Sequence, residues 1–240
     1  MSTGIVGEPN LDELFEGGFE DGKTYLIAGG AGTGKTIFGL QYLLQGIRNG
    51  ESGIYITSDD QPERLVKNVL SFGWNVGQYL NHKLLILPIK NYFVTKGWYT
   101  DINKIMNAIT SDLKRRSRQI SAKRLVIDPI EPLIPMNNNE ITWIRDYIKK
   151  LVFSIENEVR TTNIITSRLP VSDATISGME IFPTSGIIIL ELSRVGDQFL
   201  RTFSIREMKW TNCQPTVCKF EIESNKGIVL KGIYEENRFH

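Results

Sequence analysis

Cysteine is scarce in this 240-residue chain: only Cys213 and Cys218 occur, and both lie late in the sequence. Two cysteines cannot build the disulfide framework of a small secreted domain, and such scarcity is typical of a reducing compartment. The two are separated by four residues and have no further metal ligands nearby. We therefore interpret the pair as structural and not as a zinc site.

An excess of charge and a long apolar run are also missing. The 28 basic and 27 acidic residues leave a net charge of +1, so no global field favours nucleic acid or a membrane surface. No apolar stretch is long enough to span a bilayer, and the first residues lack the basic-then-apolar pattern of a signal peptide. These absences predict a cytoplasmic protein that neither spans nor binds a membrane. The length suits one domain, expected to span residues 1–240, since no repeat or linker divides the chain.

A glycine-rich motif is the most informative feature that is present. Residues 29–36 read Gly-Gly-Ala-Gly-Thr-Gly-Lys-Thr and match the phosphate-loop pattern G-x-x-x-x-G-K-[ST]. The apolar run 24–28 predicts a buried strand before the motif, and apolar residues at helical spacing follow over 35–47. This strand, loop and helix order is the context that the motif requires. The predicted nucleotide-binding residues are Gly29, Gly30, Ala31, Gly32, Thr33, Gly34, Lys35 and Thr36.

Each part of such a loop has a chemical task. Glycines permit backbone angles that turn N–H groups toward phosphate oxygens, and the helix N-terminus adds partial positive charge. The Lys35 ammonium can reach the β and γ phosphates, and the Thr36 hydroxyl can ligate Mg²⁺. ATP and Mg²⁺ are therefore the predicted cofactors.

A second part of the site is predicted at Asp128, which ends the apolar run 124–128. An acid at the tip of such a strand can hold the water shell of Mg²⁺ opposite the phosphate loop. The alternative is a helix-cap or turn aspartate, because Pro129 follows and the pattern alone is weak. Its distance from the phosphate loop along the chain favours the metal role.

Asp59 and Asp60 follow the predicted strand 53–57 and are the candidate catalytic residues. They lie at the carboxyl end of that strand, where open α/β sheets bind ligands. One of them could orient or deprotonate an attacking water. Alternatively, Asp60 or Gln61 caps the helix predicted from Pro62, and both interpretations can hold, one for each aspartate.

Alternating strand and helix patterns predict the fold class. Apolar strands alternate with helices as far as residue 167, including a long helix over 141–159, which indicates a parallel sheet with helices on both faces. After Gly186 four strands follow, separated by turn sequences. We expect an α/β fold with a mostly parallel central sheet flanked by helices and a C-terminal antiparallel β-hairpin region.

Two segments carry the residues that a nucleic-acid site would need. Residues 114–118 read Lys-Arg-Arg-Ser-Arg at the end of a predicted helix, with Lys123 and Arg124 close behind. Stabilisation of the helix dipole is the favoured interpretation of these cations. Aromatic and basic residues interleave over 90–99 and could stack single-stranded bases, but we favour packing or a subunit interface. Nucleic acid is therefore a partner that the sequence admits without favouring it.

The order of these motifs resembles the RecA-superfamily ATPases of the KaiC-like branch, specifically the single-domain forms common in archaea. The resemblance covers nearly the whole chain and rests on the phosphate loop and on residues 56–63, 72–74, 124–130, 164–167 and 201–209. It implies a RecA-like P-loop fold that binds ATP with Mg²⁺. Many members form rings with nucleotide at the subunit interfaces, so the resemblance makes a homo-oligomer, as a ring or a dimer, a possible state; the sequence leaves ring, dimer and monomer open.

Two departures from the family pattern concern hydrolysis. The family usually has two glutamates at the positions of Asp59 and Asp60, and an aspartate is one methylene shorter. The late strand of ring-forming relatives commonly reads Lys-Met-Arg-Gly-Thr, whereas residues 207–211 read Glu-Met-Lys-Trp-Thr. Glu207 would repel a neighbour's γ-phosphate, and Lys209 lacks bidentate geometry. Both changes imply slow or absent hydrolysis with ATP binding intact.

The leading expectation is therefore an ATP-binding, nucleotide-dependent regulatory or assembly protein with an unidentified protein partner. The alternative is an active ATPase of the recombinase-paralogue type that acts on single-stranded DNA or a recombination partner. In RecA-like folds, residues 168–185 would face a ring channel. They hold one basic residue, Arg168, against Asp173 and Glu180, which weakens the DNA alternative.

Overall fold

The computed structural model describes residues 1–57, 61–92, 102–134, 141–168, 183–209 and 211–234. Ten strands and five α-helices occur in these ranges. The strands are β1 (Val6–Glu8), β2 (Thr24–Gly29), β3 (Ser52–Thr57), β4 (Leu84–Pro88), β5 (Ala122–Asp128), β6 (Thr162–Ser167), β7 (Gly186–Val195), β8 (Gln198–Met208), β9 (Thr216–Glu223) and β10 (Gly227–Ile233). The helices are α1 (Leu11–Leu14), α2 (Lys35–Arg48), α3 (Pro62–Ser71), α4 (Ile102–Ile120) and α5 (Ile141–Ser154).

All ten strands belong to one sheet, in the order β1-β10-β9-β8-β7-β2-β6-β5-β3-β4. The strands from β7 to β4 in this order are parallel. The strands β7, β8, β9 and β10 pair antiparallel in sequence order. This arrangement confirms the predicted α/β fold with an antiparallel C-terminal region.

Both faces of the parallel half are covered, which explains the continuous apolar runs. Every residue of β2, β3 and β6 is buried. One face packs against α2 through residues such as Tyr55 and Val126. The other face packs against α4 and α5 through residues such as Ile56 and Ile127.

The structure adds elements that the sequence patterns did not indicate. Strand β1 pairs parallel with β10 at the edge of the sheet, with Val6 opposite Val229. Its three residues include a glycine, too few to show an alternation of polarity. The predicted helix 141–159 is α-helical only to Ser154 and continues as a π-helix, Ile155–Val159. This wider turn leaves both Ile155 and Val159 buried against the core.

A buried arginine connects the sheet to the phosphate-loop helix. Arg124 on β5 is 1% exposed, and its Nε donates to Glu51 Oε2 over 2.5 Å. Its Nη1 donates to the carbonyl oxygens of Ser2 and Tyr42, at 2.7 and 2.8 Å. Since a buried guanidinium needs such partners, Arg124 belongs to the interior and to no surface patch.

Gly46 on α2 makes room for this arginine. A Cβ at position 46 would lie 2.3 Å from Arg124 Nε. Although alanine favours helix by about 1 kcal/mol, we expect Gly46→Ala to lower the free energy of unfolding by about 2 kcal/mol, because overpacking displaces the guanidinium. Urea unfolding tests this expectation, with Arg48→Ala at the exposed end of the same helix as control. Equal or greater stability of Gly46→Ala would contradict it.

Candidate phosphate and magnesium site

The glycine-rich loop leaves the carboxyl end of β2, between the ends of β6 and β7. Gly29 ends the strand with φ at 155°, and a Cβ there would lie 2.2 Å from the carbonyl oxygen of Leu190 on β7. Only glycine permits this close approach of the two backbones. Gly34 has φ at 109° and is the N-cap of α2, so the loop leads directly into the helix N-terminus.

The interior of the loop has the openness that a phosphate group requires. Gly30, Ala31 and Gly32 are exposed, and a Cβ built at Gly30 or Gly32 meets nothing within 4 Å. Thr33 is buried, and its hydroxyl donates to the Gly30 carbonyl at 3.0 Å, which braces the turn. The loop before the positive end of α2 therefore has open space at Gly30 and Gly32.

Lys35 is folded back onto its own loop. Its Nζ donates to the carbonyl oxygens of Gly29 and Gly30 at 2.7 and 2.6 Å. Burial lowers the pKa of the Lys35 ammonium, and the negative charge of Asp128 opposes this shift. The ammonium is thus held beside the glycine-rich loop by these two carbonyl oxygens.

Thr36 and Asp128, 92 residues apart in sequence, are in direct contact. The Thr36 hydroxyl donates to Asp128 Oδ2 at 2.6 Å. Asp128 lies at the carboxyl end of β5 and is 6% exposed. Its Oδ2 also accepts from the Tyr55 hydroxyl, and its Oδ1 accepts from Thr166 Oγ1. The sequence analysis missed both donors, because it interpreted β3 and β6 only as strands of the sheet.

A further acid at this edge was also missed. Glu131 follows Asp128 by three residues, and its Oε1 accepts from Ser167 Oγ and from the Arg168 N–H, both at 2.6 Å. Like Asp128, it partly opposes the lowering of the Lys35 pKa. Its only sequence signal is its position just beyond a strand that ends in an acid.

The donors present fit a hard divalent cation. Thr36 and Asp128 offer one hydroxyl and one carboxylate, the kinds of oxygen ligand that Mg²⁺ takes in nucleotide sites, where phosphates and waters supply the rest. Within the described ranges, no three His, Cys, Asp or Glu side chains cluster as an all-protein metal cage. A Mg²⁺ ion at this place would therefore depend on a bound nucleotide for most of its ligands.

The candidate catalytic aspartates lie outside the described residues. Asp59 and Asp60 follow β3, whose last residue Thr57 is in register with Asp128. Because the two strands are neighbours, the chain leaves β3 beside the predicted metal ligand. The catalytic roles of Asp59 and Asp60 stay a prediction.

Three of the cations at the end of α4, considered for nucleic acid, have acidic partners within the chain. Arg115 and Arg116 both form ion pairs with Asp112, and Lys114 lies 3.6 Å from Glu158. Lys209, considered as the residue that reaches a neighbour's phosphate, donates to the Thr184 carbonyl at 2.8 Å and lies 3.7 Å from Glu207. The aromatic residues of 93–99 and most of the predicted channel-facing segment lie outside the described residues.

The sequence predicted that no segment spans a membrane. Across the described part of the chain, no helix combines the length and apolar character needed to cross a bilayer.

Comparison with known proteins places the chain in a family. The model of the KaiC ATPase family matches residues 1–235. A UPF0273 protein of Thermotoga maritima is 29% identical over 238 residues, which cover 96% of this chain and 95% of that one. The circadian clock oscillator protein KaiC of Thermosynechococcus vestitus is 30% identical over 224 residues, which are 91% of this chain but 42% of that protein.

A solved structure agrees with this assignment. The crystal structure of a KaiC-like protein from Pyrococcus horikoshii OT3 superimposes with a TM-score of 0.76 at 33% identity, covering 97% of this chain and 98% of that one. The family match extends over the phosphate loop, Asp128 and the antiparallel strands alike. The chain therefore belongs to the KaiC family of RecA-like ATPases.

Proposed function

We propose that this protein binds ATP with Mg²⁺ as a single domain and hydrolyses it slowly or not at all. The contact between the Thr36 hydroxyl and Asp128 at the foot of the open phosphate loop is the observation that carries the proposal. It joins the two predicted metal ligands beside the Lys35 ammonium. A nucleotide-dependent regulator or assembly protein is the role that best suits tight binding with slow turnover.

The residues of the site divide the work of binding between them. The loop N–H groups and the α2 N-terminus would hold the phosphate oxygens, and Lys35 would neutralise the terminal phosphates. Thr36 would ligate Mg²⁺ directly, and Asp128 would hold its water shell. When bound, the cation would offset phosphate charge. Desolvation of Lys35 strengthens its interaction with an anion that replaces the two carbonyl oxygens.

Slow hydrolysis is supported by the residues that would act on the γ-phosphate. The Asp59 and Asp60 side chains are each one methylene shorter than glutamate. Glu207 is an exposed anion on β8. The Lys209 ammonium already donates a hydrogen bond to the Thr184 carbonyl of its own chain. With shorter acids at positions 59 and 60, an anion at 207 and a lysine at 209 that is already hydrogen-bonded, the site would bind ATP without efficient turnover.

The partners follow from the same reasoning. We propose a homo-oligomer in the cytoplasm that contacts another protein in its ATP-bound state. Nucleic acid is not favoured, because Arg115 and Arg116 are paired with Asp112 and Arg124 is buried.

Two measurements on the wild-type chain test the proposal. Calorimetry should show ATP and ADP binding that requires Mg²⁺ for full affinity. Steady-state phosphate release, measured on the same preparation, should be slow at saturating ATP. Absence of Mg²⁺-dependent nucleotide binding would overturn the proposal, while brisk turnover would replace the regulatory role with that of an ordinary ATPase.

A further inference from the structure

Three hydroxyl groups converge on the carboxylate of Asp128, and only Thr36 belongs to the phosphate loop. Tyr55 donates to Oδ2, the oxygen that Thr36 also contacts, and Thr166 donates to Oδ1. Tyr55 lies on β3 and Thr166 on β6, the two strands that flank β5. The carboxylate is therefore held from both sides of its own strand.

The hydroxyl of Tyr55 is the part of this residue that packing does not explain. The ring is fully buried in the core between the sheet and α2. It lies under Gly39, where a Cβ would be 3.6 Å from Tyr55 Cε2. A phenylalanine ring would fill the same apolar space. The hydroxyl oxygen needs a polar partner when buried, and Asp128 is that partner.

This hydrogen bond limits the rotation of the carboxylate. The χ2 torsion of an aspartate is broad, so an unsupported carboxylate samples many orientations. With Tyr55 on Oδ2 and Thr166 on Oδ1, both oxygens of Asp128 have directed donors before any ligand arrives. Oδ2 consequently stays aimed at the Thr36 hydroxyl. Such outer partners orient metal-binding groups and raise metal affinity.

We propose that Tyr55 is a positioning residue of the magnesium site, whose hydroxyl holds Asp128 in the orientation that serves Thr36 and the cation. The inference rests on the proposed function, because it concerns the same Mg²⁺–nucleotide site. It extends that function by assigning metal affinity to a buried strand residue beyond the phosphate loop and Asp128. Tyr55 touches neither nucleotide nor metal in this role and acts through Asp128.

The test is a Mg²⁺ titration of nucleotide binding by Tyr55→Phe. A fluorescent ADP analogue reports affinity in EDTA and then at rising Mg²⁺. We expect the Mg²⁺ concentration for half of the affinity gain to rise about tenfold or more, as for other outer-shell substitutions. Affinity in EDTA should stay within about twofold of wild type, because the loop and Lys35 are unchanged.

Tyr42→Phe is the matched control. Tyr42 is equally buried, and its hydroxyl donates to the Thr162 carbonyl at 3.1 Å, at the start of β6 and away from the phosphate loop. It should retain the wild-type Mg²⁺ midpoint. A shift of the same size in Tyr42→Phe would overturn the inference by showing a general effect of losing a core hydroxyl.

The outcomes separate the inference from the proposed function. If the wild-type chain shows no Mg²⁺ effect, the proposed function fails. If the wild type responds and Tyr55→Phe has the same midpoint, only the role of Tyr55 fails. Should Tyr55→Phe not fold, 4-methylphenylalanine and 4-aminophenylalanine at position 55 decide. Both side chains fill the space of tyrosine, but only the amino group can donate a hydrogen bond to Asp128. Only the methyl variant should therefore raise the Mg²⁺ midpoint, and equal Mg²⁺ midpoints would overturn the inference.

Discussion

Replacing Lys35 by alanine should nearly abolish nucleotide binding. The ammonium supplies charge-assisted hydrogen bonds to the terminal phosphates, together worth about 3 kcal/mol, or about a hundredfold in affinity. Its position prepares it for this role, because it is buried and held beside the cradle by the Gly29 and Gly30 carbonyls. Calorimetric titration of folded Lys35→Ala with Mg²⁺–ATP would show whether the loss occurs.

A lysine elsewhere provides the control for the loss of a carbonyl contact. Lys83 also donates to a glycine carbonyl, that of Gly50, at 2.7 Å. Lys83 precedes β4 and lies at the amino end of the parallel strands, whereas the phosphate loop lies at their carboxyl end. Lys83→Ala should therefore bind ATP as the wild type does. Unchanged ATP affinity in Lys35→Ala would remove the assignment of residues 29–36 as the phosphate site.

Lengthening the two acids after β3 should raise turnover. We expect the double variant Asp59→Glu, Asp60→Glu to hydrolyse ATP about ten to a hundred times faster than wild type, because a reach error of about 1 Å can cost about a hundredfold in rate. Affinity for ATP should be unchanged. Phosphate release at saturating ATP measures the effect, with Asp197→Glu in the exposed turn between β7 and β8 as the control for an added methylene.

Glu207→Lys extends the same test to assembly. In the lengthened background it should raise turnover further, but only where subunits bring β8 against a neighbour's nucleotide. The gain should then depend on protein concentration. A wild-type chain with brisk turnover that Asp59→Asn or Asp60→Asn abolishes would contradict this account, since the backbone would then place the shorter acids correctly.

Local patterns predicted the elements that carry strong local signals. The strand, loop and helix around residues 29–36 and the acid at Asp128 are visible because glycine, lysine and apolar runs occur at fixed spacing. The parallel strands were recognisable as continuous apolar segments since both of their faces are buried. The short strand β1 was not predicted, because three residues are too few to show an alternation of apolar and polar side chains. Its pairing with β10, which is distant in sequence, defines it as a strand.

Contacts between distant residues were decided by the tertiary structure. The sequence by itself determined that Thr36 and Asp128 are suited to Mg²⁺, because hydroxyl and carboxylate chemistry belongs to the residues. That they touch, and that Tyr55 and Thr166 orient the carboxylate, depends on the strand order β2-β6-β5-β3, which brings four separate segments to one edge. Likewise, the sequence shows only that Arg124 is a cation. The space left by Gly46 and the hydrogen bond to Glu51 allow its side chain to be buried in the interior.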